Sequence, residues 1–98
     1  MRSYELMMIH RPDLAEPDVR ARIAEVEGTI NGTGKVETTD FWGKRRFAYE
    51  IGHMNEGYYS VLEFTGDPDL IAALDRTLSI SDEVVRHKIL RRLDKEKA

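Results

Sequence analysis

Apolar and polar positions alternate from the start of the chain. Tyr4, Leu6 and Met8 fall on one side of residues 2–10, and Met7 and Ile9 on the other. A strand with apolar positions on both faces belongs in the middle of a sheet. Arg11-Pro12-Asp13 ends it. Pro17 suits a first helical position, with Asp18 near the positive end of the helix dipole. Val19, Ile23, Val26 and Ile30 then recur at helical spacing as one apolar stripe. Asn31-Gly32 and Gly34 stop that helix. Residues 35–51 read as a long strand with a bulge or bend at Gly43; Phe47, Tyr49 and Ile51 share one face, Arg46 and Ala48 the other. Gly52, Asn55 and Gly57 make residues 52–57 a hairpin loop. Residues 58–65 form a third strand, with Tyr58, Leu62 and Phe64 on one side and Tyr59 and Val61 on the other. Asp67 and Pro68 open a second helix, carried by Leu70, Leu74 and Leu78 and supported by Ile71 and Ala73. Strand character returns over residues 83–92, where Val84, Val85, Ile89 and Leu90 interleave with His87 and basic residues. Asp94 to Ala98 reads as a charged, fraying tail.

The predicted order is β-α-β-β-α-β. Right-handed crossovers through each helix give an α+β fold, the ferredoxin-like split β-α-β arrangement: a four-stranded antiparallel sheet with two helices on one face. Residues 1–93 make one domain, and 94–98 the short tail. The uncovered face then carries Met7, Ile9, Tyr59 and Val61, an apolar area suited to a partner.

Composition narrows the function. The 98 residues are 41% hydrophobic and 34% charged, ordinary for a globular chain. No cysteine is present, which excludes disulfides, thiolate metal sites and Cys nucleophiles. No signal peptide and no membrane-length apolar run is visible, so the expected location is the cytoplasm. Net charge is −3, against nonspecific nucleic-acid binding, yet the charge is polarised. Lys44, Arg45, Arg46, Arg86, Lys88, Arg91 and Arg92 supply seven of the 15 cations from two short segments. Asp13 to Glu27 holds five acids against two arginines.

Catalysis finds little support. His10, His53 and His87 lack metal-type spacing, and Ser60, Ser79 and Ser81 have no nucleophile motif around them. Gly32-Thr33-Gly34-Lys35 lacks the first glycine of a phosphate loop and leads into a strand, not a helix. Neither an enzyme nor a cofactor is expected. Nucleic-acid contact fits better. Lys44, Arg45 and Arg46 reach both faces and the edge of their strand, Arg86, Lys88 and Arg92 have period-two spacing, and Trp42, Tyr49 and Tyr59 offer stacking surfaces. The alternative is that both clusters are charged sheet edges that deter aggregation, and RNA contact is favoured over it. Glu56-Gly57-Tyr58-Tyr59-Ser60-Val61-Leu62-Glu63 matches the RNA recognition motif poorly, since its leading base and last aromatic are both acidic residues.

Met1-Arg2-Ser3-Tyr4-Glu5, Pro12, Trp42-Gly43-Lys44-Arg45-Arg46-Phe47-Ala48-Tyr49-Glu50-Ile51, Gly57-Tyr58 and Val84-Val85-Arg86 occur in order and at spacing that resembles the bacterial small-subunit (30S) ribosomal protein S-six family. Phe47 stands where that family has Leu, and Glu50 where it has Pro. The resemblance implies a structural, non-enzymatic constituent of the small ribosomal subunit. It would bind the central domain of 16S-type ribosomal RNA cooperatively with ribosomal protein S-eighteen, and use no membrane and no small-molecule substrate. RNA contact carries over to Arg2, Trp42, Lys44, Arg45, Arg46, Arg86, Lys88, Arg91 and Arg92. Partner contact is expected at Tyr59, Val61, Met7 and Ile9. Phe47 and Tyr49 are expected to anchor their strand while its cations and Trp42 meet RNA. The alternatives are a standalone regulatory RNA-binding domain and a small ligand-binding or enzymatic αβ module.

Overall fold

The computed structural model describes the backbone over residues 2–51 and 54–96, and side chains over 2–47 and 54–94. Its elements are β1 (Arg2–His10), α1 (Glu16–Thr33), β2 (Lys35–Ile51), β3 (Met54–Gly66), α2 (Pro68–Ile80), β4 (Val84–Arg91) and a short α3 (Leu93–Glu96). The four strands form one antiparallel sheet in the order β2-β3-β1-β4. The two middle strands are the first and third in sequence, as the ferredoxin-like arrangement requires.

Period-two alternation decides what each face holds. Tyr4, Leu6 and Met8 of β1 pair across the ladder with Phe64, Leu62 and Ser60 of β3. Tyr4, Leu6, Met8, Leu62 and Phe64 pack under Val19, Ile23 and Ile30 of α1 and Leu70, Leu74 and Leu78 of α2, so both long helices cover the same side. The other face carries no helix from this set. Its β1 and β3 residues are Ser3, Glu5, Met7 and Ile9 against Thr65, Glu63, Val61 and Tyr59.

Several boundaries differ from the sequence reading. Ala15 caps α1, so Pro17 takes the second helical position, and the helix runs through Asn31 and Gly32 to stop at Gly34. Asp67 stands at the cap of α2 but makes no side-chain cap hydrogen bond. Met54 to Gly57 continue the ladder as strand instead of forming loop, because Glu56 and Gly57 pair with Arg46 and Arg45; Gly52 and His53 lie outside the described residues. After β4 the chain makes a helical turn where a fraying tail was expected. Arg92 fixes its start, donating its backbone N–H to Ser3 O at 2.7 Å and its guanidinium to Asp94. Lys97 and Ala98 lie outside the described residues.

Candidate nucleic-acid interface

Cross-strand partners line up on the uncovered face in rows. Gly43 of β2, Tyr59 of β3, Ile9 of β1 and Arg86 of β4 form one row, and Asp40, Val61, Met7 and Lys88 the next. Thr38, Glu63, Glu5 and Leu90 form the third. The face is therefore polarised along its strands, with cations at the end near the β2–β3 hairpin and carboxylates toward the other.

A bulge builds the aromatic part of the basic end. Phe41 pairs with Ser60 and Gly43 with Tyr59, so Trp42 is an extra residue between them. Gly43 has φ +82°, a left-handed conformation that strains any residue with a Cβ. Phe41, opposite Ser60, faces the helices and Trp42 continues the alternation onto the open face; the extra residue puts Gly43 on that face too and returns Lys44, opposite Tyr58, to the helix side. The Trp42 ring lies parallel to that of Tyr59 on the open face, with centroids 6.1 Å apart. Phe47 packs on the same Tyr59 at 5.8 Å, tilted by 55°. Gly57 makes room: a Cβ there would stand 2.7 Å from Ile9 Cγ2, 2.8 Å from His10 O and 3.1 Å from Phe47 Cζ. Ile9 and Phe47 thus close over a bare backbone, and Ile9 is only 2% exposed. Ile9 was expected as open apolar surface; it is buried, because Phe47 and Tyr59 pack around it on that face. Phe47 does anchor its strand, from the same face as Trp42. The side chain of Tyr49 lies outside the described residues.

The sequence-predicted cations separate. Arg45 stands opposite Gly57 on the open face, and its Nε donates to Trp42 O at 3.2 Å, which holds the guanidinium beside the indole. Arg46, opposite Glu56, borders the same recess, a shallow space of about 470 Å³ lined by Trp42, Arg45, Arg46 and Tyr59. Arg86 and Lys88 lie exposed on the open face. Lys44 goes to the other face, where its Nζ sits 5.1 Å from the Tyr58 ring centroid. Arg91 shares a row with Tyr4 on the helix-covered side, and Arg2 stands opposite Gly66 at the far end of the sheet. Arg92 turns to the open face among carboxylates, 2.9 Å from Asp94, 3.3 Å from Glu5 and 4.0 Å from Glu63. The hydrogen bond and charge of Asp94, aided by Glu5 and Glu63, hold its proton more tightly than in a free arginine.

Met7 and Val61 stand side by side in the middle of the face, half-buried, and Tyr59 is half-buried beside them. The acidic end was missed in the sequence, although Glu5 and Glu63 have the parity of Met7 and Val61 and could have been found from it. A recess there, about 410 Å³, is lined by Glu37, Glu63, Thr38 and Arg92 among others. The two described histidines, His10 and His87, do not converge. His10 is buried behind the sheet and its Nδ1 has no hydrogen-bond partner among the described residues. Burial lowers its pKa, which Glu83 opposes and Arg22 reinforces. His87 Nε2 lies 2.8 Å from Asp75 Oδ1 of α2. Among the described residues no group of His, Asp or Glu is arranged to hold a metal ion, and no helix is long and apolar enough to cross a membrane.

A family model described as Ribosomal protein S6 matches residues 3–91. The small ribosomal subunit protein bS6 of Clostridium perfringens is 47% identical over 92 residues, 93% of this chain and 97% of that protein. The bS6 of Symbiobacterium thermophilum is 53% identical over 94 residues, with the same coverage of 93% and 97%. The crystal structure of 30S ribosomal protein S6 from Thermotoga maritima superposes with a TM-score of 0.92 at 34% identity, over 98% of this chain and 92% of that one. A protein from Arabidopsis thaliana shares the fold alone, with a TM-score of 0.55 at 12% identity over 94% of this chain and 93% of its own. The polarised sheet face therefore stands on a scaffold matched almost end to end, and the chain belongs to the ribosomal protein S6 family, a structural, non-enzymatic family of the small ribosomal subunit.

Proposed function

We propose that the chain binds small-subunit ribosomal RNA through the hairpin end of its open sheet face, and does so together with ribosomal protein S-eighteen. The observation that carries this is the segregation of charge. In a chain of net charge −3, Arg45, Arg46, Arg86 and Lys88 gather at or beside one end of the face that no long helix covers. Arginine forks suit phosphate oxygens, and Trp42 and Tyr59 add stacking surface. Lys44, Arg91 and Arg2 lie off this face, and Arg92 is occupied by carboxylates, so they contribute less. Met7, Val61 and Tyr59 supply the apolar contact for the partner. The acidic end at Glu5, Glu63 and Glu37 favours a basic protein there, one that neutralises further phosphates itself.

The test is affinity for a central-domain RNA fragment, with and without S-eighteen. Binding is expected to be weak for the chain alone and strong for the pair. Tight binding without the partner would replace this reading with that of a standalone regulatory RNA-binding domain.

A further inference from the structure

We infer that the recess beside Trp42 takes one unpaired nucleobase, stacked on the indole, with the adjoining phosphate held by Arg45. The inference rests on the RNA-binding reading and adds the form of RNA recognised.

Three features converge. Trp42 is 46% exposed, the only tryptophan in the chain, and stands at a β-bulge on the open face. Bulges are over-represented beside functional sites, and a tryptophan half in water at one offers its ring to a partner. At 6.1 Å between parallel ring centroids, Trp42 and Tyr59 overlap little, so the indole is fixed in orientation yet keeps ring surface uncovered. Arg45 is tied through Nε to Trp42 O, the backbone of the stacking residue itself, which leaves its terminal nitrogens to another acceptor. A flat ring and an anion held side by side are the two halves of a nucleotide.

A duplex cannot use this arrangement. Its bases are stacked inside, and only its backbone reaches a protein surface of this shape; bases of loops, bulges and junctions can be splayed out onto an aromatic ring. A partner's apolar side chain fits less well, since the guanidinium groups that border the recess would lose water without gaining an acceptor. Stacking of this kind is tolerant of base identity, because every base has a π-face.

Fluorescence of the full chain reports this site alone, since no other tryptophan contributes. The chain is titrated at low salt with an octa-adenylate, an abasic ribose-phosphate strand of equal length and charge, and a short RNA duplex. Octa-adenylate is expected to quench Trp42 strongly, and the abasic strand and the duplex only slightly. Trp42→Ala, read by anisotropy of labelled RNA, is expected to weaken octa-adenylate binding roughly 5- to 150-fold, the range of one stacked base, and to leave duplex binding unchanged. Trp42→Phe keeps a ring and is expected to retain most of the affinity. Equal binding of abasic and base-bearing strands, or a silent Trp42→Ala, overturns the stacked base while Arg45-dependent RNA binding persists. Loss of all RNA binding by the unmodified chain, with S-eighteen present, instead sinks the RNA-binding reading beneath it.

Discussion

Neighbouring cations on β2 should differ sharply in what they do for RNA, because the strand sends Arg45 and Lys44 to opposite faces. The perturbation is a set of single alanine substitutions at Lys44, Arg45, Arg46, Arg86 and Lys88. Each phosphate neutralised contributes about −0.7 to −0.9 to the slope of log affinity against log salt. Arg45, Arg86 and Lys88 on the open face, with Arg46 at its border, therefore supply a slope of about −3 to −4. Over a salt range from about 50 to 200 mM that share alone costs roughly 50- to 150-fold in affinity. Arg45→Ala should flatten the slope by about 0.7 to 0.9. Arg46→Ala should do less, since Arg46 leaves the strand on the same side as Lys44, reaches only the border of the recess, and has Glu56 opposite it. Lys44→Ala should leave the slope nearly unchanged, as its Nζ rests over Tyr58 behind the sheet. The assay is anisotropy of a labelled central-domain RNA fragment at saturating S-eighteen, so that the partner's own contribution is constant and cancels between variants. If Lys44→Ala flattens the slope as much as Arg45→Ala, the RNA reaches the helix-covered face and the open-face placement is wrong.

Gly57→Ala should destabilise the fold by about 1–3 kcal/mol, because its Cβ would meet not only the movable ends of Ile9 and Phe47 but the His10 carbonyl at 2.8 Å; urea denaturation measures it, and an unchanged midpoint would show that the hairpin shifts freely. His10 should make stability fall on acidification. Its folded pKa lies below the ordinary 6.5, so above that pH the ring is neutral in both states. Below it the unfolded chain takes up the proton first, and stability drops until the folded value is reached. Comparing urea midpoints at about pH 7.5 and 5.5, His10→Leu should lose less on acidification than the unmodified chain, and an equal loss would assign the pH effect to other groups. Val61→Asp should abolish pairing with S-eighteen in a pull-down while leaving the circular dichroism spectrum intact, because Val61 is only half-buried at the centre of the open face; undiminished pairing would remove Val61 from that interface.

The strands and helices were legible because their periodicities are strong. Leu70, Leu74 and Leu78 repeat every four residues, and all three are buried on one helix face. The alternation through Tyr4, Leu6 and Met8 likewise located β1 and its central place. What the sequence hid was register. Gly43 marked a bulge, but a bulge shifts parity for every residue on one side of it. Whether Trp42 joins Lys44 or Tyr59 depends on which residue is the extra one, and only the pairing with β3 decides that. Ile9 was misjudged for a related reason. Its parity put it on the open face correctly, but parity does not reveal that Gly57 lets Phe47 fold down beside it. The acidic end of the face needed no pairing information, only attention to carboxylates at the same parity as apolar residues.

Net charge is a poor guide to this molecule because many of its cations are already neutralised at short range. Arg11 pairs with Asp13, Arg20 with Glu16, Arg22 with Glu25 and Glu83, and Arg92 with Asp94 and Glu5. Charges paired within a few ångströms act on a distant phosphate as small dipoles, and salt screens what is left beyond roughly 8–10 Å. The field an approaching RNA meets is set by cations whose neighbours are not carboxylates. Arg45 is one: it spends a single nitrogen on a backbone oxygen. An acidic chain can therefore present a basic end, provided its acids lie elsewhere, on α1 and at the Glu5–Glu63 end of the sheet. The same layout restricts docking to one orientation. At the other end Glu5, Glu63 and Asp94 share the single guanidinium of Arg92, which makes that end a poor seat for RNA backbone and a fitting one for a basic partner. The proposed cooperativity with a basic protein needs only this placement of charge along one sheet face.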